Sequence, residues 1–468
     1  MPLADVETIV FVMMENRSFD HLCGYLSMSS AGPTLPVEGL QDDAAWLGEH
    51  DNFFGGSRFP IHRLFADTQA IDDPPHDHAH IATQLGGGSG IPRMGGFVAS
   101  YMQRATPPTD PSAVMGFYGP DAVPVYDFFA RHYTVCDHWF AALPTGTQAN
   151  RLMAMAGQSR ILDNASVLLP DQRLAYDWLT DNNVSWCAYQ SGDFFPFFAL
   201  MARWLPEMTT SLALSGLGGR GRFRRLVRLR DHWTGAEAMP SVVFVEPEYT
   251  DGPHAAPQDD HPPSGIAKGQ AFLADLYETL TANPARWART LLIVTYDEHG
   301  GFFDHVPPLP ITANVGGTPL ATTGVRVPAF LVSPLVAPGV PFTGPLDHTS
   351  FLQLLADRFT PGRAYSPPVA ERQASLTRLS AAIGPAPSGP VAALPLPPVA
   401  AGVRAVAATL PPSAGPSNTD GAGRTTQAFH TVAAKVAADH PDLLRTPSWA
   451  PLAARIGTGG NGGQPPPP

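Results

Sequence analysis

Cysteine is scarce in this 468-residue chain, and the three present, Cys23, Cys136 and Cys187, lie too far apart for a CxxC or any other metal-ligand spacing. A thiolate metal site and a disulfide framework are thereby set aside, and buried free thiols are expected. Long apolar runs are missing as well. None reaches the ~18 residues that a membrane span needs, so no transmembrane segment is predicted. Positive charge is in deficit: 29 Lys and Arg against 41 Asp and Glu leave a formal net charge of -12. That balance argues against a nucleic-acid partner, because counterion release needs a basic face. The start, MPLADVETIVFVMMEN, has neither the basic n-region nor the small-residue cleavage site of a signal peptide. As written the chain reads as cytoplasmic, although a secreted protein whose leader had been removed would look the same.

What the chain has in abundance is apolar, β-rich runs set between helical patterns. ETIVFVMM, YTVCDHWF, VSWCAY, SVVFVEP, TLLIVTYD and VRVPAFLVSP read as strands, several of them buried on both faces. AFLADLYETL and FLQLLADRF place their apolar residues on single helical faces. Such alternation predicts an α/β fold, a mostly parallel sheet with helices on both sides. The catalytic domain is expected over residues 1–365, with a substrate-facing insertion near 190–235. There DFFPFFALMARWLP crowds Phe194, Phe195, Phe197, Phe198 and Trp204 together, and GRGRFRRLVRLR spaces Phe223, Leu226 and Val227 as in a basic helix. Two readings stand: a core cluster beside a solvated helix, or a lipid-facing lid beside a headgroup contact. Beyond residue 365 the composition turns to Pro, Ala, Gly and Ser. Residues 366–456 read as a strap, extended over 385–425, followed by a helix with Phe429 and Val432 inward; 457–468 reads as a disordered tail.

Four polar clusters end or follow the apolar runs. ENRSFDH puts Glu15 and Asn16, hard oxygen ligands, at a strand end. PTGTQANRLMAMAGQS sets Thr145 or Thr147 over a helix start, as a nucleophile or as an N-cap. DPPHDHAH offers His76, His78 and His80, to a metal, to an anionic substrate, or merely to solvent. Finally, QDDHPP carries Asp259, Asp260 and His261, while TYDEHGGFFDHV carries Asp297 and Glu298. Adjacent strand residues point to opposite faces, so both carboxylates reach one ion only if the chain turns, which Gly300 and Gly301 permit.

Six ordered motifs, ENRSFDH, DPPH, TQANR, DDHPP, YDEHGGFFDHV and DHTS, spread over about residues 5 to 360. With them the chain resembles the phosphoesterases that comprise the non-specific phospholipases C and related acid phosphatases. The resemblance implies an alkaline-phosphatase-like three-layer α/β/α sandwich and metal-dependent hydrolysis of phosphate esters. It implies Thr147 as nucleophile, and Glu15, Asn16, Asp297 and Glu298 as ligands of a divalent cation, with the Thr147 hydroxyl completing the shell. It implies that His76 contacts phosphate, that Asp260, His261 and His348 lie near phosphate or leaving group, and that His261 or His348 protonates the departing alcohol. Oxygen ligands favour Ca, Mg or Mn, and the nearby histidines leave room for Zn or Fe. A phospholipid is the expected substrate, met at a membrane surface, with a small phosphomonoester as the alternative and a non-catalytic phosphate binder as a further contrast. Ala149 stands where the family usually has Pro, and residues after 365 match nothing in it.

Overall fold

A computed structural model describes residues 2–410 apart from 66–70, 88–89, 165–167, 192–196, 202, 205, 209–210, 212–220 and 250–256. The apolar runs form a seven-stranded sheet: β1 (Thr8–Met14), β2 (Thr134–Val135), β3 (Trp186–Gln190), β4 (Phe223–Arg225), β5 (Val242–Glu246), β6 (Thr290–Tyr296) and β7 (Ala329–Val332). Their spatial order is β2-β7-β6-β1-β5-β3-β4. All neighbours are parallel except β7, which runs antiparallel to both β6 and β2. Every residue of β1, β5 and β6 is buried. Continuous Val, Ile and Leu runs with no polar alternation are what a strand covered on both faces requires.

Register shows which helix covers which face. Val12 pairs with Val245 and Val294, and Val294 with Phe330. Phe330 stacks 5.9 Å from Tyr126 of helix α1 (Pro124–His132). The next residue back, Phe11, points the other way and stacks 4.0 Å from Phe351 on the helix Thr349–Phe359. Helices therefore lie on both sides, giving the expected three layers. All three cysteines are buried and free.

Two expectations change, and one choice left open closes. Phe223–Arg225 is not helical: it is the edge strand β4, paired with Ala188–Gln190, and its neighbour Val227 is 81% exposed. Within the aromatic run, Phe197, Phe198 and Trp204 are buried beside Tyr176, so these members are core and not a lid; Phe194 and Phe195 lie outside the described residues. In the strap expected to be extended, Pro398–Thr409 is a helix that lies against Ala267–Thr281, where Arg404 meets Asp275 at 2.8 Å and Glu278 at 2.9 Å. Pro at its first turn and Ala and Val after it suit a helix start. The expected helix around Phe429 and the tail lie outside the described residues.

Candidate active site

Because β1 and β6 are adjacent, parallel and in register at Met14 and Tyr296, Glu15-Asn16 and Asp297-Glu298 leave the sheet side by side. The Asp297 amide donates to the Met14 carbonyl at 3.2 Å, and the Glu15 amide to the Asp259 carbonyl at 2.8 Å, which draws in the loop after β5. This is the carboxyl edge of the sheet, where open α/β folds place their ligands. The chain turns as TYDEHGG predicts, with φ of 64° at Gly300 and 74° at Gly301. A Cβ on Gly300 would sit 2.3 Å from the Asn16 carbonyl oxygen, and one on Gly301 2.7 Å from Pro74 Cβ. Only glycine lets the acidic loop close against both other segments.

The clusters converge. The Asn16 amide donates to Asp297 Oδ1 at 3.2 Å, and its side-chain Nδ2 donates to His76 Nε2 at 3.3 Å. That same Nε2 lies 3.7 Å from Glu298 Oε1, while His76 Nδ1 donates to the Pro74 carbonyl at 2.6 Å. Glu15, Asn16, His76, Thr147, His261, Asp297, Glu298 and His348 are each at most 2% exposed. Buried polar atoms almost always find hydrogen-bond partners. Yet Asn16 Oδ1, Thr147 Oγ1, Asp297 Oδ2 and Glu298 Oε1 have none. Burial first, then repulsion from Asp297 and Asp73, pushes the Glu298 carboxyl well above the usual range. Hard oxygens without hydrogen bonds, gathered among three buried carboxyl groups, fit a divalent cation.

Thr145 and Thr147 separate clearly. The single Thr145 hydroxyl proton is shared between two acceptors, the Leu162 carbonyl at 2.6 Å and the Asp163 carboxylate at 2.9 Å. Thr147 is the first residue of helix Thr147–Ala156; Gly146 is the N-cap, and Asn164 Oδ1 accepts from the Gln148 amide at 2.8 Å. The N-cap reading of Thr147 is therefore wrong. Its unengaged hydroxyl sits at the positive end of the helix dipole. A Cβ on the adjacent Gly146 would lie 3.6 Å from the His76 carbonyl oxygen, so this helix end abuts the DPPH loop.

One turn on, Arg151 supplies a counter-charge that the sequence reading left out of the site. Its Nη2 is 2.9 Å from Glu15 and its Nε 3.4 Å from Asp297. Nη1 donates to the Tyr249 hydroxyl at 3.1 Å. Burial opposes its charge, but Tyr249, Glu15 and Asp297 outweigh that and hold the guanidinium ionised. The i, i+4 spacing from Thr147 was the available signal.

Other expected groups take different parts. Asp260, with φ of 73°, turns its carboxyl away to accept from the hydroxyls of Tyr126 and Tyr296, the latter at 2.7 Å. Burial raises that carboxyl to about 7, and it anchors the loop instead of facing phosphate. His348 accepts from the Trp139 indole at 3.1 Å and donates to the Asp297 carbonyl at 2.6 Å. Both its nitrogens are thus engaged, and the ring ties the Asp297 backbone to Trp139. His261 stands 5.9 Å ring to ring from His76, and burial followed by the charge of His76 lowers it to about 3. His78 and His80 begin a helix capped by Asp77; His78 bonds the Pro144 carbonyl and His80 bonds Asp77, so neither joins the site. A separate acidic group, Asp20, Asp304 and His305, is closed by Arg326, which lies 3.1 Å from Asp20 and 2.9 Å from Asp304.

The Phosphoesterase family description matches residues 6–360. Non-specific phospholipase C1 of Arabidopsis thaliana is 33% identical over 370 residues, which are 74% of this chain and 64% of that protein. Phospholipase C B of Mycobacterium tuberculosis (strain CDC 1551 / Oshkosh) is 30% identical over 407 residues, 76% of this chain and 74% of that protein. The chain thus spans just under two thirds of the plant relative's length. Among solved structures, the phosphonate monoester hydrolase of Agrobacterium radiobacter overlays 51% of this chain and 69% of its own, at 12% identity and a TM-score of 0.30. An overlay that loose carries no argument.

Proposed function

Since the chain belongs to the phosphoesterase family, we propose that it is a metal-dependent phosphoric ester hydrolase of the phospholipase C type, releasing diacylglycerol and a phosphorylated headgroup from glycerophospholipids. The observation that carries this reading is the Thr147 hydroxyl, buried without a hydrogen-bond partner at a helix N-terminus, one helical turn from the arginine that meets Glu15 and Asp297. Glu15, Asn16, Asp297 and Glu298, with Thr147, would hold a divalent cation. Bound there, such an ion lowers the pKa of a hydroxyl and offsets charge on phosphoryl oxygen. All-oxygen donors favour Ca, Mg or Mn, while His76 leaves room for Zn or Fe.

In this reading Thr147, its hydroxyl deprotonated, attacks phosphorus in line and the bond to the diacylglycerol oxygen breaks, leaving the phosphorylated headgroup esterified to Thr147 Oγ. The positive dipole end at the start of the Thr147 helix faces the phosphoryl oxygens. His76, oriented by the Pro74 carbonyl and the Asn16 carboxamide, lies against the same group. His261 gives its proton to the departing alcohol, a bound phosphoryl anion raising its low pKa. Water then cleaves the ester to Thr147, releasing the phosphorylated headgroup and restoring the hydroxyl.

Phospholipid as substrate is supported by the names of the relatives. Hydrolysis of small phosphomonoesters is the second reading, favoured by the burial of Phe197, Phe198 and Trp204, which removes part of the apparent lid. Product analysis on metal-supplemented protein, offered phosphatidylcholine and p-nitrophenyl phosphate with Thr147→Ala as control, tests both. Diacylglycerol and phosphocholine, lost in the variant, are expected. Inorganic phosphate from the nitrophenyl ester alone makes it a phosphatase, and binding of phosphate with no product makes it a non-catalytic relative.

A further inference from the structure

Among the described residues, the exposed aromatic side chains of large size are Phe53, Phe54 and Phe65, at 61%, 40% and 61%. All belong to one short stretch. Asn52–Phe54 and Ser57–Phe59 pair as an antiparallel hairpin around Gly55 and Gly56, with φ of 59° and 81°. Two successive left-handed residues make the tight turn that matches strand twist, so the tip is stiff. Its base is held. Asn52 Oδ1 accepts from the Val98 amide at 3.2 Å, Arg58 pairs with the buried Asp51, and Ile61 and Leu64 are buried. The stretch therefore sorts its apolar residues into anchors that face the core and phenylalanines that face outward. Adjacent exposed phenylalanines on a stiff tip are the kind of apolar feature that marks an interaction surface.

We propose that this hairpin, with Phe65, is the element that seats the protein on a phospholipid bilayer. The inference rests on the phospholipase C reading and gives it a location. Three observations choose a zwitterionic lipid surface as occupant. The arginines of the stretch are paired, Arg58 with Asp51 and Arg63 with Asp121, so the patch does not present bare positive charge to an anionic partner. A second copy of the chain would bring another -12 of formal charge, which opposes self-association through a neutral tip. The hairpin also connects to the site. Val98, which holds its base, follows Phe97, whose ring is 6.1 Å from that of His299, next to Glu298. Aromatic side chains prefer the headgroup level of a bilayer, and Phe53 and Phe54 stand exposed side by side.

The test uses full-length protein and Phe53→Ser/Phe54→Ser, with Phe65→Ser as a second variant. Cosedimentation with phosphatidylcholine vesicles is read at low and high salt, beside hydrolysis of a short-chain phosphatidylcholine kept monomeric. Expected is vesicle affinity at least about tenfold weaker in the double variant, from the apolar area lost. The loss should be equal at both salt levels, with monomeric-lipid turnover and melting temperature unchanged. Unchanged vesicle affinity, or no sedimentation of the wild type, overturns the proposal. So does a concentration-dependent dimer that the variant loses while vesicle binding persists, since that assigns the tip to a second copy. If the wild type hydrolyses no phosphatidylcholine the phospholipase reading fails, and the sedimentation difference still decides the hairpin's role.

Discussion

Replacing Arg151 with methionine keeps the aliphatic volume of the side chain and deletes its guanidinium. Glu15 and Asp297, at 1% and 0% exposure, then lose the cation that lies 2.9 Å and 3.4 Å from them. Removing one partner of a buried pair costs roughly 3–5 kcal/mol, and the Tyr249 hydroxyl loses a donor whose contribution is about 1 kcal/mol. Metal-free Arg151→Met should thus unfold about 4–6 kcal/mol more easily than the wild type. A divalent cation at the same carboxylates neutralises them in place of the guanidinium. The deficit should then shrink to less than about half once the cation is saturating, by linkage of binding to folding. Urea unfolding followed by tryptophan fluorescence, in EDTA and in excess Mn or Ca, measures both numbers. A deficit of the same size in both conditions would refute the idea that these carboxylates share a cation. A deficit under about 1 kcal/mol would show that Arg151 is not their counter-charge.

Thr145→Ala should lower stability by about 1–2 kcal/mol, by removing the one hydroxyl proton that the Leu162 carbonyl and Asp163 share, yet keep turnover within severalfold of wild type; loss of turnover equal to that of Thr147→Ala would reverse the nucleophile assignment. Gly300→Ala should abolish turnover and cation binding, because its Cβ would lie 2.3 Å from the Asn16 carbonyl at a positive φ, and calorimetric titration with Mn reads the binding directly. The Asp260 carboxyl, raised by burial from 3.8 to about 7, holds its proton more tightly folded than unfolded. Its contribution is full below about pH 4 and is lost as pH rises through 7, at about 1.4 kcal/mol per pH unit. Asp260→Asn should therefore flatten urea stability between pH 4 and 7, and an unchanged slope would count against a protonated Asp260.

The central runs ETIVFVMM, SVVFVEP and TLLIVTYD were legible as strands because burial on both faces is written locally, as nearly unbroken apolar residues. Phe223–Arg225 was not. Phe223, Leu226 and Val227 have helical spacing, and only the neighbouring strand supplies the hydrogen bonds that make Phe223–Arg225 an edge. The same limit hid Arg151: a lone arginine in a helix reads as solvent-facing, and its burial depends on carboxylates more than a hundred residues away in either direction. Glu15, Asn16, Asp297 and Glu298 were legible because acid placed where an apolar strand stops has few structural uses. The roles of Asp260 and His348 were not, since a sequence motif fixes which residues approach a site but not which way each side chain turns. The helix Pro398–Thr409 was hidden by a composition rich in Pro, Ala and Gly.

Asn16 sits at φ 61°, a conformation glycine adopts without strain and other residues only at some expense. Its carboxamide has one end on His76 and the other, Oδ1, without a hydrogen-bond partner. Robustness and chemistry therefore pull against each other at a single backbone position. A laboratory screen that rewarded heat resistance alone would drift toward glycine there, and would return a sturdier protein missing one of the oxygens around which its site is built.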